Sequence, residues 1–152
     1  MTINGEYVSL DNKDEAIRLH RQMWNDMVEA EKKRGENFSG YDRRVFKGRW
    51  IDGHGYNDVV NDCFLCEYSK TMAQKNDDIV SYYMPKCCKY CPLDWTKLVE
   101  DIDDYSEDPE RFERCTQRLE DKNSGYYRES WMIAPIENIA NLPEKTTTKN
   151  CQ

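Results

Sequence analysis

Two short motifs, Cys63-Phe64-Leu65-Cys66 and Cys88-Lys89-Tyr90-Cys91, carry the strongest prediction about how this chain folds. They are separated by 21 residues, and each C-x-x-C turn presents two thiolates to one ion. Because zinc prefers four soft ligands in a tetrahedron, the sequence predicts one zinc ion bound by Cys63, Cys66, Cys88 and Cys91. Four cysteines fill the coordination shell, so the predicted zinc is structural rather than catalytic.

Other interpretations of the cysteines are weaker. Free cysteines are common core residues, a thioredoxin-like motif needs a strand before it and a helix after it, and an iron–sulfur cluster also takes four thiolates. Within the zinc interpretation, Cys87 is an alternative ligand to Cys88, although Cys88 has the better spacing to Cys91. Of the other cysteines, Cys115 is expected in the core and Cys151 is expected to be a free thiol.

The composition indicates one domain with a modest core. The 152 residues fit a domain of ordinary size. Only 38% are hydrophobic and 34% are charged, against roughly 45–50% and a quarter in an average globular chain. A metal that holds the fold together would matter more in such a chain. We expect a zinc-stapled domain over residues 1–143 and a flexible tail over residues 144–152.

No targeting signal is visible in the sequence. Residues 1–10 lack a basic start followed by an apolar stretch, and no run of 18 apolar residues occurs. We therefore expect a cytoplasmic protein. In that reducing compartment, paired cysteines more often bind a metal than form disulfides.

The residue pattern predicts a mainly α protein with irregular loops. Residues 1–10 are expected to be extended. Apolar residues at helical spacing predict an amphipathic helix over residues 12–33. Asp11 marks its N-terminus and Gly35 stops it. A further helix is expected over residues 63–75.

The remaining segments are less regular. Between residues 35 and 61, glycines and the lack of a period predict a long irregular connection with a short strand or turn near 45–50. An Asp-Pro-Glu start predicts a helix over residues 108–122. The last element spans residues 126–142, where Pro135 must kink it or start a new segment.

The segment over residues 41–50 combines bases with aromatic side chains, and its bases outnumber its acids by three. Bases can contact phosphates while aromatic rings stack on nucleobases. The candidate contacts to nucleic acid or to a partner are Arg43, Arg44, Lys47, Arg49 and Trp50. The alternative, which we favour, is a loop whose aromatic residues pack inward and whose bases neutralise acidic residues elsewhere.

Acidic residues concentrate in residues 100–113, which hold eight acids and one base. The net charge of this stretch equals that of the whole chain, −7, and an acidic chain is a poor general nucleic-acid binder. Spaced carboxylates can imitate a phosphate backbone and occupy the groove of another protein. A solvated loop and helix start is the simpler interpretation.

No motif for catalysis is present. The sequence contains no nucleophile elbow, no phosphate-binding glycine loop and no His-Glu-x-x-His. His20 lies on the apolar face of the first predicted helix and is expected to be a hydrogen-bonded core residue. His54 is expected to be a loop residue, with a partner contact or a spare metal ligand as alternatives. We therefore expect no enzymatic activity.

The order of these motifs resembles a family of small bacteriophage and prophage proteins that has no assigned activity. The resembling segments are His20 to Trp24, Cys63 to Tyr68 (Cys-x-x-Cys-Glu-Tyr), Cys88 to Trp95 (Cys-x-x-Cys-Pro-Leu-x-Trp), Cys115, Tyr127 to Trp131 and Ile139 to Pro143. The adjacent Cys87, the long loop between the pairs and the acidic stretch depart from the family pattern. The resemblance implies a phage origin, action in the cytoplasm of the host cell, and zinc.

Two functions follow as hypotheses. The first is a non-enzymatic phage accessory protein that binds and modulates or inhibits a bacterial host protein, such as a component of antiviral defence, through exposed aromatic residues and the acidic stretch. The second is a zinc-dependent nucleic-acid-binding or transcription-modulating module that uses residues 41–50. Sequestration of a small nucleotide would need a basic pocket.

Overall fold

A computed structural model describes residues 1–77, 90–95, 98, 118–120 and 127–146, and over these residues the protein is mainly helical, as predicted. The helices are α1 (Lys13–Arg34), α2 (Gly40–Gly53), α3 (Phe64–Lys75), α4 (Ser130–Ile133) and α5 (Ile136–Ala140). The strands are β1 (Thr2–Ile3), β2 (Glu6–Tyr7), β3 (Tyr56–Asn57), β4 (Arg118–Glu120) and β5 (Tyr127–Glu129).

Helix α1 confirms the predicted first helix. Its N-cap is Asn12 rather than Asp11, because the Asn12 side chain accepts a hydrogen bond from the Glu15 N–H at 3.0 Å. The helix ends where Gly35 adopts a left-handed φ of 75°, a conformation that costs glycine little.

The core of the protein surrounds α1, which packs against α2, α3 and α5. The apolar face of α1 is fully buried, and further large side chains complete the core from other elements. The largest apolar side chains with almost no exposure are Met23, Met27, Phe64, Leu65, Leu93, Ile139 and Leu142. Burial of this face stabilises α1 far more than helix propensity alone does.

A small antiparallel sheet with the order β2-β1-β3 covers one end of the core. It is tied to α3 through Glu67, whose side chain is only 2% exposed. Glu67 accepts hydrogen bonds from the amino group of Met1 at 3.3 Å and from the Val60 N–H at 2.8 Å. A buried carboxylate needs such partners because an unpaired buried charge is costly.

Helix α2 shows that the predicted irregular connection over residues 35–61 is wrong. A capping box starts α2: Ser39 and Asp42 each accept a hydrogen bond from the other's backbone N–H. The positions of α2 that face the core include Arg43 and Lys47, whose long side chains are 6% exposed. The buried residues of α2 follow the helical period, but two of the four, Arg43 and Lys47, are charged.

The C-terminal part corrects two further predictions. Residues 118–120, expected to be helical, form β4 and pair with β5 in antiparallel register, Leu119 opposite Arg128. The expected element over residues 126–142 is divided into β5, α4 and α5. Pro135 is the residue before α5 and therefore starts a new segment.

The start of the expected tail is hydrogen-bonded to the rest of the protein. Leu93 and Glu144 form an antiparallel bridge, and the Lys145 N–H donates to the Pro92 carbonyl at 2.9 Å.

Predictions for residues 100–113, Cys87, Cys88, Cys115 and residues 147–152 lie outside the described residues. No helix in the described ranges has the length and apolarity needed to cross a bilayer.

His20 is a buried core residue, as predicted. It is 1% exposed, and its Nε2 donates to the Ile139 carbonyl at 3.0 Å. Its neighbour Arg21 donates to the carbonyls of Ala140 and Leu142 at 3.0 and 2.8 Å. These two side chains satisfy carbonyl groups at the end of α5 that have no partner within the helix.

We expect the stability of the protein to fall between pH 6.5 and pH 4 because of His20. Burial lowers the pKa of His20 from 6.5 to about 4, so in this range only the unfolded chain takes up the proton. The loss amounts to about 3 kcal/mol of unfolding free energy across the range. Urea unfolding of the wild type and of His20→Gln, which keeps an N–H donor without a titrating ring, measures the difference. Parallel pH profiles would contradict the assignment.

Candidate metal centre

The first C-x-x-C motif forms the N-terminus of α3. Cys63 is the N-cap, with extended φ and ψ of −138° and 111°. Its Sγ accepts a hydrogen bond from the Cys66 N–H at 3.3 Å. The turn therefore holds both half-buried thiols at the N-terminus of α3.

Cys91, from the second motif, is buried and lies within electrostatic range of Cys63. Burial raises the pKa of the Cys91 thiol to about 11, and Cys63 contributes in the same direction. Cys63, Cys66 and Cys91 are free of disulfides. Among the residues with described positions, no three His, Cys, Asp or Glu side chains are gathered closely enough to hold a metal.

The donor chemistry of these three cysteines fits a thiolate-bound metal in part. The pair Cys63 and Cys66 has the turn and the N–H···S bond that a zinc-binding half-site needs. Cys91 belongs to the other motif, and among the described residues it does not join this pair in a group that could hold a metal. The fourth predicted ligand, Cys88, and its alternative Cys87 lie outside the described residues.

A cavity of about 320 Å³ opens beside Cys63 and Cys66. Its walls come from α1, α2, the turn before α3, the first turn of α3, the segment over residues 90–95, β5 and α4. Aromatic and charged side chains share the lining, including Trp24, Trp95, Trp131, Arg44, Lys47 and Glu129. The cavity therefore brings cations close to the thiols of the first motif.

Lys47 is the cation that acts on Cys63. The side chain of Cys66 and burial raise the pKa of the Cys63 thiol well above its usual value, and the positive charge of Lys47 and the hydrogen bond from the Cys66 N–H oppose this rise. The Lys47 ammonium lies 4.3 Å from the centre of the Trp131 ring and 3.4 Å from the Asn61 carbonyl oxygen. Sequence reasoning missed this role because a lysine in an amphipathic pattern is usually assigned to solvent.

The backbone directly before Cys63 is strained. Asn61 and Asp62 have φ values of 53° and 50°, in the left-handed region. Asn and Asp tolerate this region better than other side chains, at a cost of order 1 kcal/mol each. The turn that presents Cys63 is therefore held by its surroundings, including the bond from Lys47 to Asn61.

The predicted contact segment over residues 41–50 does not form one exposed basic face. Of the five candidate contacts, Arg43, Lys47 and Trp50 are each 6% exposed, whereas Arg44 and Arg49 are exposed to solvent. Five helical positions separate those two arginines, which turns them about 140° apart around α2. Trp50 packs inward, as the favoured interpretation expects, but the segment is a helix rather than a loop and Tyr41 is 73% exposed. Two of the four bases, Arg43 and Lys47, are buried.

The contacts of the buried residues explain why they are not free for a partner. Arg43 Nη1 donates to the carbonyls of Trp131 and Ala134 at 2.9 and 2.6 Å. Trp50 Nε1 donates to Asp26 at 2.8 Å, and the ring of Trp50 stacks on His54 with centroids 3.7 Å apart. His54 follows the last residue of α2 as its C-cap, so it lies at a helix end rather than in a free loop.

We expect Arg43→Met to lower the unfolding free energy by about 2–4 kcal/mol, because it leaves two carbonyl oxygens without their donor. Arg49→Met, on the same helix but exposed, should change it by less than about 0.5 kcal/mol. Chemical denaturation of both variants measures the difference. Equal stabilities would show that Arg43 does not hold the α4 segment.

A comparison with models of protein families, with curated proteins and with solved structures finds no match for this chain. The function must therefore be argued from the residues themselves. The observations that bear on it are the thiols at the start of α3, the buried Cys91, and the surface that the helices leave open.

Proposed function

We propose that this chain is a non-enzymatic phage accessory protein that binds and modulates a bacterial host protein, and that a structural zinc ion stabilises its fold. In this proposal zinc is bound by Cys63, Cys66, Cys88 and Cys91. The observation that supports the zinc part is the turn of Cys63 and Cys66 at the start of α3, where the Cys66 N–H donates to the Cys63 Sγ at 3.3 Å. A C-x-x-C turn of this kind presents two thiolates to one ion.

Four thiolates would leave no open position for water on the metal. Zinc in such a site supplies folding free energy rather than chemistry, because the site does not exist in the unfolded chain. It would join the start of α3 to the segment over residues 90–95. That segment is in turn paired with residues 143–145, so the metal would connect the middle of the chain to its C-terminal part.

The surface that we propose for the partner is a groove of about 690 Å³ between α1, the start of α2, and α4–α5. Its lining includes Phe38, Tyr41, Met132, Ile133 and Pro135. The lining also includes charged residues such as Glu31, Lys32 and Glu137. Tyr41 is 73% exposed, and an exposed tyrosine beside a groove of mixed polarity is typical of protein interfaces. The net charge of −7 favours a partner with a basic surface around its contact site.

We expect about one zinc ion per chain in protein purified under reducing conditions. Cys63→Ser and Cys66→Ser should each lose most of the metal and unfold at a lower denaturant concentration, because a three-thiolate site binds zinc less tightly. Metal content by mass spectrometry measures this, with Cys151→Ser as the control that should retain zinc. Separate Cys87→Ser and Cys88→Ser variants identify the fourth ligand. Metal-free wild type, or Cys63→Ser with full zinc content, would contradict the proposal.

We expect Tyr41→Ala to weaken binding of the host partner by more than tenfold, as removal of a central interface tyrosine commonly does. Tyr7→Ala is a matched control, since Tyr7 is also 73% exposed and lies outside the groove. A partner captured from bacterial lysate is identified, purified and titrated against all three proteins. Equal affinities for the two variants would rule out this groove as the contact surface.

A further inference from the structure

Three of the four tryptophans of the chain line the cavity of about 320 Å³. Trp24 belongs to α1, Trp131 belongs to α4, and Trp95 lies in the segment over residues 90–95. The rings of Trp24 and Trp95 each lie beside the ring of His20, with centroids 6.1 and 6.2 Å from it. Indole rings present a large apolar surface that packs well against other flat rings. The volume lies at the lower end of the range for small-molecule sites, so the cavity has the size and the walls for one small planar molecule.

The ammonium of Lys47 lies at the wall of this cavity. Its Nζ is 4.3 Å from the centre of the Trp131 ring and 3.4 Å from the Asn61 carbonyl oxygen, and both of these residues line the cavity. An ammonium has three N–H donors, and within the described residues Lys47 donates this one long hydrogen bond. Lys47 is only 6% exposed. Since burial of an incompletely paired charge is costly, the ammonium favours a negatively charged acceptor inside the cavity.

Two carboxylates, of Asp62 and Glu129, line the same cavity and are half-buried. Neither forms an ion pair with Lys47 among the described residues. Glu129 instead accepts a hydrogen bond from Trp131 Nε1. Both carboxylates would repel additional negative charges on a bound molecule. The charges of the lining therefore favour a molecule with one negative group rather than several.

We propose that this cavity binds a small planar aromatic molecule with a single negative charge, of the aryl carboxylate class. The ring would lie against the indoles, and the carboxylate would accept a hydrogen bond from Lys47 Nζ. Nucleotides, which carry more than one negative charge, would meet the carboxylates of Asp62 and Glu129. Arg44 lines the cavity but is exposed, so it would attract an anion without holding it firmly, because solvent screens its charge. This inference depends neither on bound zinc nor on the partner groove.

The test is a titration of ¹⁵N-labelled protein with indole-3-carboxylate, followed through the indole N–H signals of the four tryptophans. We expect the signals of Trp24, Trp95 and Trp131 to shift and to saturate together. Trp50 is an internal control, because it lies outside the cavity and its N–H donates to Asp26. Its signal should not move. Single tryptophan-to-phenylalanine replacements assign the four signals.

Variants of α2 test the charge. We expect Lys47→Met to bind indole-3-carboxylate about 10–100-fold more weakly, because a hydrogen bond to a charged group is lost. Lys47→Arg keeps the charge and should stay within a few-fold of the wild type. Arg49→Met removes an exposed charge on the same helix, outside the cavity, and should leave the affinity unchanged. Urea unfolding of each variant verifies that it is folded, and Lys47→Met replaces the buried charge by an apolar side chain of similar length.

Two further probes test the class of the bound molecule on the wild-type protein. Indole-3-carboxamide has the same shape without the charge, and it should bind about as weakly as the carboxylate binds to Lys47→Met. Guanosine 5′-monophosphate has a planar ring system and a phosphate with more than one negative charge near neutral pH, and it should also bind more weakly than the carboxylate.

Several results would overturn the inference. One is the absence of a saturable shift of the cavity tryptophans at millimolar indole-3-carboxylate. Equal affinities of the carboxylate for the wild type and Lys47→Met, or of the carboxylate and the carboxamide for the wild type, would rule out Lys47 as the anion contact. Tighter binding of the nucleotide would rule out a preference for a single charge. Zinc content and partner affinity are measured separately, so each of these failures leaves the proposed function standing.

Discussion

The contact on which the rest of the fold depends is the capping of α5 by two adjacent side chains of α1. His20 and Arg21 donate to the carbonyls of Ile139, Ala140 and Leu142, 119 to 121 positions away in the chain. Helix α5 has five residues, too few to be stable alone in water. Its last carbonyls have no partners inside the helix, and the buried His20 and the half-buried Arg21 donate to them. The order His-Arg-x-x-Trp in α1 thus has a structural role, since Trp24 packs beside His20 in the same core.

The same kind of contact recurs between α2 and α4. Arg43 donates to the carbonyls of Trp131 and Ala134, at the end of a helix of only four residues. Burial lowers the pKa of Arg43 to about 10, so it stays charged at neutral pH. Its Nε has no partner among the described residues. A chain with few hydrophobic residues therefore holds its short C-terminal helices with long polar side chains that reach backbone carbonyls, in addition to apolar packing.

This use of polar side chains explains what could be predicted from the sequence. Helices α1 and α3 have ordinary apolar periods and clear stop or start signals, and both were predicted within one or two residues.

Helix α2 was missed because Arg43 and Lys47 occupy positions where an apolar side chain is expected. The Ser39 and Asp42 capping box was the one local signal that could have located it. Strand β4 forms because it pairs with β5. The local sequence of residues 118–120 does not reveal this pairing, because strand formation depends strongly on context. The proposed zinc ligands come from the spacing of the cysteines alone, whereas the presence of Lys47 and Cys63 in one cavity follows only from the packing of α2.

The capping contacts also bear on the proposed partner groove. Met132, Ile133 and Pro135 belong to α4 and to the link to α5, so this wall of the groove is held in place by donors from α1 and α2. The opposite wall contains Phe38, which precedes α2, and Tyr41, in the first turn of α2. A substitution that weakens the contacts of Arg43 or His20 would therefore change the shape of the groove before it unfolds the whole protein, because short helices lose their structure first. Conversely, a partner bound across the groove would contact both walls and stabilise the folded protein by mass action. Partner binding and the stability of the C-terminal helices are thus coupled through the same few side chains.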